Sequence, residues 1–85
     1  MTIDVPSYTE NGFACEWEDG FAIQCTIDEF GVRIEANKEG LISLARHLLA
    51  LAEENVPEYA HFHLDEFNSL NDNSREITVV KRNIT

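Results

Sequence analysis

His61, His63 and Asp65 have the residue types and the spacing for chemistry, in the run His61-Phe62-His63-Leu64-Asp65. Alternate side chains of an extended strand point to one side, so two imidazoles and a carboxylate would project together. Such a set could converge on a metal such as zinc. It also suits an exposed strand face that uses these groups for hydrogen bonds. No cysteine pair or further histidine-rich segment completes a site. The expectation is therefore no metal, no cofactor and no catalytic residue.

Cys15 and Cys25 are the next candidates. Each falls on the apolar side of an alternating run, and burial in apolar surroundings makes a thiol inert. Two free, buried thiols are expected rather than a disulfide. His47 follows Arg46 on a long helix and reads as a solvated flank residue. Trp17 reads as a core residue, and an interface anchor is the other use of a lone tryptophan. There is no Gly-rich phosphate loop, no Walker motif and no Gly-x-Ser-x-Gly elbow.

The element that must position these residues is a helix over 38–55. Leu41, Leu44, Ala45, Leu48, Leu51 and Ala52 recur at steps of three and four, and Ile42 and Leu49 widen the stripe. Asn37 suits the N-cap, Glu39 suits the first turn, and Pro57 prevents continuation. Gly40 is a poor helix former, and its missing side chain permits close backbone packing. If Leu48 is fully buried, Leu48→Ala should cost about 2–5 kcal/mol.

Strands are expected on both sides of this helix. Residues 13–18 and 21–28 alternate, with Phe13, Cys15, Trp17, Phe21, Ile23, Cys25 and Ile27 on the inward side. To bury both sets, the intervening loop must have odd length. Glu18-Asp19-Gly20, with Gly20 in the left-handed conformation, meets that need. Cys15 then opposes Ile23. In a third strand over 31–37 the even positions Val32, Ile34 and Ala36 are inward, which places Ile27 beside Val32. Phe30 sits in the turn and is expected to be exposed. Residues 61–65 and 76–82 complete the set, with Phe62, Leu64, Ile77 and Val79 inward.

The predicted architecture is α+β, in the order β-β-β-α-β-β. A mostly antiparallel sheet has one long helix packed on one face. The 85 residues suffice for one domain, with residues 1–12 either a loose segment or an edge strand confined by Pro6. No linker, low-complexity tract or internal repeat is visible. The longest unbroken apolar run, 48–52, is far short of the roughly 20 residues a bilayer needs, and the first residues lack the pattern of a signal peptide. A cytoplasmic protein is expected.

Sixteen acidic residues against six basic ones give a net charge of −10. Such a chain repels nucleic acid and anionic membranes, and a macromolecular partner would be basic. The face opposite the helix collects Glu16, Glu18, Asp28, Arg33 and Glu35. If the last strands join on the same side, His61, His63 and Asp65 extend it. These eight residues are the expected partner-binding surface of a monomer or weak homodimer.

A family resemblance adds to this. A helix with an early glycine and the pattern Leu-x-x-Leu-Ala-x-x-Leu-Leu-x-Leu-Ala-Glu leads to His61-Phe62-His63-Leu64-Asp65. A polar loop then ends in Asn73-Ser74, with a β-branched strand after it. This resembles immunity protein family thirty-two of bacterial polymorphic toxin systems, over roughly residues 31–82. Asn73 stands where that pattern would place a glycine. The resemblance implies a small, non-enzymatic, cytoplasmic protein that binds and blocks a cognate toxin. The other readings are a small metal-binding domain built on His61, His63 and Asp65, or a self-associating structural or regulatory domain.

Overall fold

The structure, a computed structural model, describes residues 2–3 and 16–84. Its elements are β1 (Ile23–Asp28), β2 (Gly31–Ala36), α1 (Lys38–Ala52), β3 (His61–Leu64) and β4 (Ile77–Val80). This is the expected α+β class. The strands form two antiparallel pairs, β1–β2 and β3–β4. The expected strand over 13–18 falls largely outside the described residues, as does Cys15. Its described end, 16–18, is not in a strand.

The β1–β2 register is the one alternation requires. Ile27 opposes Val32 and Cys25 opposes Ile34, so the apolar positions of both strands share a face. Gly20 has φ of 79°, the left-handed conformation expected of it. The other edge of β1 is taken by residues 71–75. Asn71 N–H donates to the Ile23 carbonyl and Arg75 N–H to the Cys25 carbonyl, both at 2.8 Å. Cys25 N–H in turn donates to Ser74 Oγ at 3.1 Å. Asn73 takes φ of 69° within this loop, a conformation asparagine tolerates far better than most residues do. That is how Asn can stand in the position of a glycine.

Helix α1 begins as its sequence suggests. Asn37 Oδ1 accepts from Gly40 N–H at 2.8 Å and from Ala22 N–H at 3.0 Å. Asn37 Nδ2 donates to the Gly20 carbonyl at 2.8 Å. One side chain thus caps the helix and fastens it to the turn before β1. The helix ends at Ala52, three residues short of expectation, and Glu53 N–H closes it by donating to the Ala50 carbonyl. Val56 is buried just beyond.

The buried side of α1 keeps part of the apolar stripe, with Leu51 buried and Leu44 packed on the core, but not all of it. Gly40, Ser43, Ala50 and Leu51 are buried, whereas Leu48 is 44% exposed and Leu41 and Leu49 are exposed as well. The Ser43 side of the helix meets residues 16–22. Ser43 Oγ accepts from Glu18 N–H at 2.8 Å and donates to the Glu39 carbonyl at 2.8 Å. Leu48→Ala therefore costs less than the fully buried case, because the leucine side chain has less transfer free energy to lose.

The core is a cluster of Ile23, Cys25, Leu64 and Leu70, with Trp17, Phe21, Ala36, Leu44, Phe62 and Ile77 packed around it. Full burial of each large apolar side chain stabilises by about 1.5–3 kcal/mol. The cover does not reach the far end of the hairpin. Exposure rises from 0% at Ile23 to 54% at Ile27, and Val32 and Ile34 are also exposed. These three share the side of the strands that carries Ile23 and Cys25.

Candidate functional site

The His-x-His-x-Asp run takes the strand geometry its spacing implies, but its three groups do not converge. In the β3–β4 register, His61 opposes Val80 and His63 opposes Thr78. The two rings meet edge to face with centroids 4.9 Å apart. His61 Nδ1–H donates to the Tyr59 carbonyl at 3.0 Å. His63 Nδ1 lies 3.1 Å from Glu76 Oε1 and 3.0 Å from Thr78 Oγ1. Glu76 and Thr78 thus belong to this surface. Spacing within one strand could not reveal them, but the cross-strand register does.

Asp65 turns into its own loop. Its Oδ1 accepts from Phe67 N–H at 2.9 Å and from Asn68 N–H at 3.0 Å, while Asn68 Oδ1 accepts from Asp65 N–H at 3.0 Å. These bonds are local side-chain-to-backbone turns. The carboxylate is committed to shaping the loop rather than to meeting the histidines. Among the described residues, no group of three His, Cys, Asp or Glu side chains could hold a metal ion.

His47 is the residue most displaced from expectation. It is half-buried rather than solvated. Its ring lies 4.3 Å from that of Trp17 and 5.5 Å from that of Phe62, and its Nδ1–H donates to the Ser43 carbonyl at 2.8 Å. Burial pushes its pKa below the usual histidine range, and nearby Arg46 pushes the same way against the raising effect of the Ser43 bond. Trp17 itself is half-buried and stacks on Phe21 at 4.6 Å. Arg46 also faces inward. It donates to the Glu16 carbonyl at 3.0 Å and stands 3.5 Å from Glu18 Oε1.

The eight expected partner-binding residues fall into three groups. Glu16 and Glu18 run beside α1 at Arg46. Arg33 and Glu35 share the outer face of β1–β2, 4.0 Å apart, with Asp28 at the tip. His61 and His63 lie on the separate β3–β4 pair, with Asp65 at its exit. The last strands form their own pair rather than pairing with β1–β2, so strand pairing does not meet the condition under which His61, His63 and Asp65 would extend that face.

Two turns have one hydrogen bond in common. Ile27-Asp28-Glu29-Phe30 leaves β1 and Leu64-Asp65-Glu66-Phe67 leaves β3. Asp28 Oδ1 accepts from Phe30 N–H at 2.8 Å, matching the Asp65–Phe67 bond. Phe30 is 90% exposed and Phe67 is 92% exposed.

Fold and geometry define a small α+β domain whose polar chemistry is spread over open surfaces. The chain belongs to the family Immunity protein 32, whose model matches residues 31–83, more than half of its length. No curated protein and no solved structure matches it. Among the described residues, no helix is long and apolar enough to cross a membrane.

Proposed function

We propose that this chain is a non-enzymatic, cytoplasmic immunity protein that binds a cognate bacterial toxin domain and neutralises it. Membership of the immunity family over residues 31–83 is the observation that carries this reading. The net charge of −10 supports a basic partner. A field of that sign raises the encounter rate with a basic protein, and the effect falls as salt rises. The outer face at Arg33 and Glu35, the acids at Glu16, Glu18 and Asp28, and the patch at His61, His63 and Asp65 are the proposed surfaces of contact.

The test uses a candidate toxin domain, sought among the genes that adjoin this chain's. Co-expression should protect cells from that domain, and the purified pair should associate at a rate that falls with ionic strength. Glu16→Lys combined with Glu35→Lys should slow association while leaving the urea midpoint nearly unchanged. Glu18 is left intact because it meets Arg46. Absence of both protection and binding would refute the reading.

A further inference from the structure

We infer that the two Asp-Glu-Phe turns are aromatic anchors for a basic protein partner, with Phe30 and Phe67 as the contact side chains. The inference rests on the proposed function and assigns it residues that charge alone does not single out. A phenylalanine at 90% or 92% exposure contributes almost nothing to the core, so packing within the fold gives these two rings no role. In each turn an aspartate oxygen holds the phenylalanine N–H, at 2.8 Å for Phe30 and 2.9 Å for Phe67. The same bond thus fixes the backbone at each exposed ring.

The loop around Phe67 is fastened further. The Asp65 carbonyl accepts from Asn68, Ser69 and Leu70 N–H groups at 3.3, 3.0 and 2.8 Å, and Leu70 is buried in the core. Asn68 Nδ2 donates to the His63 carbonyl at 3.1 Å, and Glu66 Oε2 accepts from Asn73 N–H at 3.0 Å. A preorganised loop loses little conformational freedom on binding. Around Phe30, the exposed Ile27 and Val32 enlarge the apolar surface.

Charge complementarity selects the occupant. Each ring directly follows an aspartate and a glutamate in a chain of net charge −10. An aromatic centre with an acidic border suits a basic protein surface that offers an apolar recess. Aromatic residues commonly dominate binding energy at such interfaces.

Phe30→Ala, Phe67→Ala and the double variant are measured against the candidate toxin domain by surface-immobilised kinetics. Each single change should weaken binding at least tenfold, mainly through faster dissociation. The double change should weaken it a hundredfold or more, with urea midpoints unchanged. If either single variant binds within twofold of the wild type while Glu16→Lys with Glu35→Lys still slows association, the anchors are wrong and the immunity reading stands. If the wild type binds nothing, both fall. Sedimentation supplies the remaining outcome: a wild-type dimer made monomeric by either alanine would assign the turns to a second copy instead.

Discussion

Gly40 packs against the backbone of Ala22 so closely that a Cβ on Gly40 would stand 2.5 Å from the Ala22 carbonyl oxygen. That oxygen cannot easily retreat. It accepts from Asn37 N–H at 3.2 Å, while Ala22 N–H donates to Asn37 Oδ1 at 3.0 Å. Gly40→Ala sets two effects against each other. Alanine improves helix propensity by about 1 kcal/mol, and overpacking against fixed backbone costs about 1–3 kcal/mol or more. The clash should win, lowering the urea midpoint. A raised midpoint would show that the junction between α1 and residue 22 yields.

Lys81 closes the opposite end of the helix. No basic residue lies in the last turn of α1, but Lys81 reaches across from the end of β4. Its Nζ donates to the Glu53 carbonyl at 2.7 Å and the Val56 carbonyl at 2.8 Å. A cation here satisfies the carbonyl of the capping residue and one just beyond it, and it complements the helix dipole. Lys81→Met should destabilise by about 1.5–3 kcal/mol, the range for hydrogen bonds to charged groups. Chemical denaturation measures it, and a loss below about 0.5 kcal/mol would place the ammonium in solvent.

Cys25 is 1% exposed and packs with Ile23, Leu64 and Leu70. In a Cys15→Ser chain, where it is the only thiol, a thiol reagent should react slowly until denaturant is added. Reaction at the rate of a free thiol in native buffer would contradict that burial.

What the sequence discloses and what it hides can be traced to particular residues. Asn37 as a cap, Gly20 in the left-handed conformation and Ile27 beside Val32 all follow from local chemistry or from period-two parity, and all three are observed. Hydropathy finds Leu44 and Leu51 on the buried side of α1 but ranks Ser43 and His47 below the exposed Leu41 and Leu48. Ser43 is nonetheless buried, since Glu18 N–H and the Glu39 carbonyl satisfy its hydroxyl. The division between β1–β2 and β3–β4 is a long-range arrangement that no local pattern encodes. Parity alone groups Asp65 with the histidines, but a carboxylate just past a strand end has backbone N–H groups within easier reach. The recurrence of Asp-Glu-Phe is too short to count as a structural repeat, and its meaning depends on where the two rings point.

His47 should make stability depend on pH in one direction. Burial favours its neutral form in the folded chain, so its folded pKa lies below the ordinary value of 6.5. Above pH 6.5 both folded and unfolded states are largely neutral at this ring, and the full contribution of His47 is present. As pH falls below 6.5, the unfolded chain takes up the proton first and stability is lost, levelling only beneath the folded pKa. Carboxylates begin to titrate below about pH 5, so the window to examine is about pH 5 to 6.5. The urea midpoint of the wild type should fall as pH is lowered through that window. His47→Gln should have a lower midpoint at pH 7, because the ring between Trp17 and Phe62 is gone, and a shallower fall. Equal slopes in the two proteins would mean that His47 remains free to take up a proton in the folded state.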